Sequence, residues 1–165
     1  MIQLDRIIRQ MTANAEAVRS LLQNVTEEQA RWRPTPETWS MFMVMHHVYN
    51  EERIDFRKHL KEIFSDPPLP WEAWHPEELL PVESLQQAVE SFLLEREASI
   101  QWLKNLEAPD WDIQSQAPWG AMSAGDVLVS WEEHDYLHLR QIIEVLHALN
   151  VEGAAPYSVK YAGDW

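Results

Sequence analysis

Trp131-Glu132-Glu133-His134-Asp135-Tyr136-Leu137-His138-Leu139-Arg140-Gln141-Ile142 sets two histidines four residues apart inside a pattern of helical period. Four residues advance an α-helix by a full turn plus about 40° and rise about 6 Å, so both imidazoles leave the same side. Val127, Trp131, His134, His138, Ile142 and Val145 share that side, which makes it the apolar stripe of an amphipathic helix. A lone histidine on such a stripe is ordinarily a satisfied core residue. Two at this spacing are most economically explained by a divalent metal, because neutral imidazole is a common ligand and one helix can present both.

Working outward, Ser123-Ala124-Gly125-Asp126 reads as a capping-box start for this helix, which extends to about Ala148. Residues from about 2 to 23 form a first helix carrying Leu4, Ile7, Ile8, Met11, Ala15, Val18, Leu21 and Leu22 on one side. Thr26-Glu27-Glu28-Gln29 is a second capping box, opening a short helical turn that Arg33-Pro34-Thr35-Pro36 breaks. A long helix is expected from Ser40 to Phe64, with Val44, His47, Val48, Glu51, Ile54 and Asp55 on one face. Another is expected from Val82 to Leu106, with Leu85, Val89, Phe92, Leu93, Ile100 and Leu103 as its core side. Between them Ser65 to Pro81 is too proline-rich for a continuous helix and is expected to lie over one end of the bundle. Ala108 to Met122 and the tail Val151–Trp165 read as irregular, the tail able to wrap back. Four amphipathic helices in a chain of 165 residues, with no dividing linker, describe one all-α domain over 1–165, a four-helix bundle.

Composition narrows the function. The formal net charge is −14 with no Lys/Arg stripe, which argues against nucleic-acid binding. No apolar run reaches the ~18 residues of a membrane span. The N-terminus shows no basic start followed by an apolar block, so a cytoplasmic location is the default expectation. Cysteine is absent, which removes thiolate ligands and nucleophiles. Nine tryptophans are many for this length. Trp32, Trp39, Trp102 and Trp131 fit core or staple positions, while Trp71, Trp74, Trp111 and Trp119 fall in the irregular segments, where they could line a pocket.

The Ser40–Phe64 helix offers a third imidazole, but His46 and His47 are adjacent and lie ~100° apart. Periodicity prefers His47 only modestly. At this point the residues resemble a known family. Thr26 to Pro34, then Trp39-Ser40, then His47-Val48 with Glu52 behind it, is similar to the N-terminal signature of the DinB/YfiT-like superfamily. His134-Asp135-x-x-His138-x-x-Gln141-Ile142 resembles its C-terminal signature. The resemblance implies up-down-down-up connectivity and a divalent metal held by His47, His134 and His138. It leaves His46 as a polar neighbour, and His59, His75 and His147, without partners at ligand spacing, as surface or structural residues.

Three imidazoles leave a tetrahedral ion one open position, the arrangement of catalytic zinc; nickel and iron also suit such ligands. Glu51, one turn beyond His47, is the candidate proton-transfer residue by spacing. Asp135 points away from its neighbour His134 and reads as a capping or surface contact. Members of the superfamily include transferases and isomerases that use low-molecular-weight thiols. The resemblance therefore implies a metal-dependent enzyme on a small molecule, with S-transfer from a small thiol as the leading expectation. It is also compatible with a homodimer through exposed helix faces. Metal-assisted hydrolysis is the alternative enzyme, although Asp135 stands where a zincin-type H-E-x-x-H helix has glutamate. A non-catalytic bundle that keeps a metal site is the alternative from another class.

Overall fold

The computed structural model describes residues 2–72 and 79–165. His75, Trp74 and Pro76 lie outside the described residues. Helix α1 spans Leu4–Leu22, short α2 Glu27–Arg31, α3 Met41–Glu51, α4 Arg57–Ile63, α5 Leu85–Lys104 and α6 Ala124–Gly153. A π-helical turn, Glu52–Phe56, joins α3 to α4, so the long helix expected from Ser40 to Phe64 is continuous but changes winding in its middle. Both capping boxes form: Thr26 accepts from the Gln29 N–H, and Ser123 from the Asp126 N–H. Ser40 caps α3 by accepting from the Met43 N–H at 3.2 Å.

Contacts fix the directions of the four long rods. Ile2 lies beside Gly125, Arg6 pairs with Glu132 and Asn14 with Asp135, so α1 and α6 run parallel. Trp39 meets His138 and Phe56 meets Trp131, so α3–α4 opposes α6. Val44 and Val48 share one apolar cluster with Leu85 and Val89, and Leu60 and Ile63 share the other with Ile100 and Leu103, so α3–α4 and α5 run parallel. That order is up-down-down-up. Parallel neighbours cannot be joined by a tight turn, and the chain between α4 and α5 must return along the bundle. Its described parts agree. Trp71 donates its N–H to the Gln116 carbonyl at one end, and the Leu80 carbonyl meets His46 beside α3.

The segment expected to be irregular from Ala108 to Met122 contains an antiparallel hairpin, β1 (Gln114–Ala117) and β2 (Gly120–Ser123). Pro118 and Trp119 form its two-residue turn, and Gly120 closes it at φ +137°, a conformation open to a residue without Cβ. Strands this short carry too little alternation to register as a pattern. Helix α6 runs five residues beyond Ala148, to Gly153, and the tail does return: Trp165 stacks on His147 with ring centroids 4.1 Å apart.

Two apolar clusters fill the bundle. One, near the hairpin, holds Ile7, Met11, Leu60, Ile100, Leu128 and Trp131; the other holds Val18, Met45, Val48, Val89, Phe92 and Ile142. Between them lies a buried polar layer. Arg96, 2% exposed, donates to both carboxylate oxygens of Glu52 at 2.9 Å and to Asp135 at 2.6 and 2.7 Å. The Trp131 indole N–H donates to Glu52 at 2.7 Å and the Asn14 amide to Asp135 at 3.1 Å. Burial by itself would depress the Arg96 pKa, but the charges and hydrogen bonds of Glu52 and Asp135 outweigh it and hold the guanidinium firmly protonated. Asp135 is therefore no capping or surface contact. It sits four residues after Trp131 and three before His138, on the centre line of the buried stripe. Replacing Arg96 by Met should cost about 3–5 kcal/mol, because two buried carboxylates lose their cation. Urea unfolding followed by circular dichroism measures it, and a loss under about 1 kcal/mol would mean the layer is solvated.

Candidate metal centre

His47 projects from the middle of α3, and His134 and His138 from successive turns of α6 opposite it. Their Nε2 atoms face one another: His134 Nε2 lies 3.3 Å from that of His47 and 2.9 Å from that of His138. The three ligand atoms lie within 4.8 Å of one another. Three nitrogens at ~2.0–2.1 Å from a tetrahedral ion would stand about 3.3 Å apart, so the cluster is close to the size a metal requires. It is also poorly satisfied without one, since neutral imidazoles meeting through Nε2 can share at most one proton per contact.

The tautomer of His138 is set from behind. Its Nδ1 lies 2.7 Å from the amide oxygen of Gln141, an acceptor only, so Nδ1 carries the proton and Nε2 offers its lone pair inward. Burial depresses the pKa of His47 to about 4 and of His134 to about 3, with neighbouring imidazoles adding to the effect. Burial lowers His138 too, against an opposing contribution from Gln141. All three are neutral at pH 7, the state that binds a metal.

Glu51 Oε1 stands 3.7 Å from His47 Nδ1, near but outside hydrogen-bond reach. Burial raises its pKa to about 8, helped by a hydrogen bond and charge repulsion from Asp55. Trp39 was expected in a core or staple role but is 40% exposed. Its ring lies 5.2 Å from that of His47 and 6.5 Å from that of His138. Phe56, placed by the π-helical turn, covers the other side at 4.9 Å from His134. His46 does not join the cluster; its Nε2 meets the Leu80 carbonyl at 3.1 Å. His59 is buried and bonds Glu62 at 2.8 Å under Trp71, a structural role. Trp71 meets Trp119 as well as His59, and Trp111 packs on Phe64, so these loop tryptophans pack away from the three-histidine cluster.

Sequence reasoning passed over Arg96, the role of Gln141, which it named only within the family signature, and the burial of Asp135 and Glu52. A signal existed for Arg96, which stands four residues after Phe92 and four before Ile100 on an otherwise apolar stripe. A lone charge there asks for buried partners.

A helical bundle with three converging imidazoles between α3 and α6 is the class of protein that fold and cluster define. The family model of the DinB superfamily matches residues 10–142, and the chain belongs to that superfamily. Among solved structures it is similar to YfiT from Bacillus subtilis, described as "a probable metal-dependent hydrolase with an unusual four-helix bundle topology". The TM-score is 0.71 at 12% identity, covering 90% of this chain and 88% of that one. A conserved protein from Enterococcus faecalis is similar at TM-score 0.67 and 17% identity, covering 90% and 97%. No curated protein matches the chain.

The depressed histidines give the metal-free protein a predictable pH response. Unfolded histidines take protons near pH 6.5, whereas folded His47 and His134 resist until about 4 and 3. Between those values the unfolded state binds more protons, so their contribution is complete above about pH 6.5 and is lost as pH falls toward 4. Glu51, its pKa raised to about 8, responds in the opposite sense, so the histidine part is read by difference: the gain in urea midpoint from pH 5 to pH 7 should be smaller in metal-free His134→Ala than in the parent. Gln141→Ala should weaken zinc affinity about 10–100-fold by competition titration, since the outer partner of His138 is lost.

Proposed function

We propose that residues 1–165 act as one DinB-like domain and a divalent-metal-dependent enzyme on a small molecule, with His47, His134 and His138 as ligands. Glu51 is its proton-transfer residue. The observation that carries this reading is the convergence of three imidazoles from two helices, their ligand nitrogens within 4.8 Å of one another. Zinc and nickel suit the ligand set best, and iron fits it as well. A divalent ion held by these residues would supply Lewis acidity and lower the pKa of a water or thiol bound to it.

The remaining work falls to the chain itself. Gln141 holds the His138 ring by its Nδ1 proton. Glu51 starts from a pKa of about 8, and a cation nearby would lower it toward neutral pH, where the carboxyl can both take and give a proton. Asp55, hydrogen-bonded to Glu51, holds its side chain in place. Trp39 and Phe56 shield the imidazoles on two sides and limit water.

Hydrolysis is the reaction we favour, supported by the description of the similar Bacillus subtilis protein and by an acid–base residue beside the cluster. Transfer of a small thiol is the second reading. The aromatic walls of Trp39 and Phe56 favour it, because they suit a weakly hydrated sulfur nucleophile. Elemental mass spectrometry of untagged protein should find about one equivalent of metal, and His134→Ala/His138→Ala should abolish it. Glu51→Gln should keep the metal yet lower turnover about 10²–10⁴-fold in ester-hydrolysis or thiol–electrophile assays. Full activity in Glu51→Gln would remove its assigned role, and no metal uptake by the parent would remove the enzyme reading.

A further inference from the structure

Outside the histidine cluster, the described surface has a cavity of about 490 Å³ between the approach to α3 and the second half of α6. Trp39 and Gln141 form its inner wall, Pro34 and Val145 give it apolar sides, and Glu37 and Glu144 bring the charge. No lysine or arginine lines it. Its volume falls within the usual range for small-molecule sites, ~300–1,000 Å³.

The inner wall is one side chain thick. Trp39 flanks His47 and His138, and Gln141 grips the Nδ1 of His138, so both residues face the cavity and the cluster. A molecule seated there would meet an indole, an amide and two carboxylates. An aromatic ring attracts a cation through the negative potential of its face, and the carboxylates add charge of the matching sign. Arg140 reaches Glu144 at 3.5 Å, but both are more than half exposed, and a screened surface pair of this kind yields readily to a competing cation. The net charge of −14 also steers cations toward the molecule.

We propose that this cavity binds the ammonium head of a small aminated substrate, seated against Trp39 beside Glu37 and Glu144. The ammonium site stands on its own geometry; that its ligand is the enzyme's substrate rests on the metal-enzyme reading above.

Benzylammonium, benzyl alcohol and phenylacetate share a ring and differ in charge, which makes them suitable probes. Titrated into isotope-labelled protein, with and without zinc, benzylammonium should shift the Gln141 side-chain amide and Trp39 indole NMR signals. It should bind at least tenfold more tightly than the alcohol, and phenylacetate should not bind. Glu37→Gln/Glu144→Gln should weaken benzylammonium at least tenfold while zinc content stays unchanged. Equal binding of the three probes, no binding of benzylammonium, or an unaffected double variant would each overturn the proposal. Benzylammonium binding to a protein that takes up no metal would leave this site standing and sink the metal-enzyme reading, so the two fail separately.

Discussion

One guanidinium holds the bundle in register. Arg96 on α5 bonds Glu52 from the π-helical turn and Asp135 from α6, and Asn14 on α1 completes the ring, so each long rod contributes to a single buried layer. The apolar clusters on either side would tolerate some axial sliding, since van der Waals contact between aliphatic side chains is not directional. A bidentate charged pair is directional, and slippage by one turn would leave charge buried without a partner. Asp135 is the residue after His134, and Glu52 stands five residues after His47. The bonds that lock the helices therefore also set the height at which the three imidazoles meet.

The centre itself combines two opposite responses to one environment. Loss of solvent penalises whichever protonation state carries charge, so it pushes histidines down and a carboxyl up. His47 and Glu51, one turn apart on the same helix, show both displacements. At neutral pH the metal-free cluster thus carries little charge of its own. An arriving cation meets neutral imidazoles, with no imidazolium charge to repel it.

Much of this was legible in the residues. Helical period, Ser/Thr caps and proline breaks placed the four rods to within a few residues, and the four-residue histidine spacing pointed to the face that receives His47. The family resemblance supplied the connectivity, which helical periodicity does not encode. The failures have physical causes. Asp135 was misjudged because its direction was read from His134 alone, whereas burial centres on Trp131, Asp135 and His138. Arg96 was passed over because its partners lie 44 and 39 residues away in the chain. The hairpin is too short to show alternation. Trp39 precedes its helix, where periodicity says nothing about direction.

The π-helical turn Glu52–Phe56 has a consequence for how relatives are compared. A turn of this kind accommodates one residue more than an α-turn, so the helix carries an insertion without a visible gap. Upstream of it, Val44, Val48 and Glu51 keep their phase toward the interior and the histidines. Downstream, Leu60 and Ile63 take the core positions that unbroken α-winding would shift by one. A relative lacking the extra residue would have the same rod and the same N-terminal half, yet its C-terminal half would be one place out of step in an ungapped alignment. The homology of the final core residues would then be missed, although they occupy the same space.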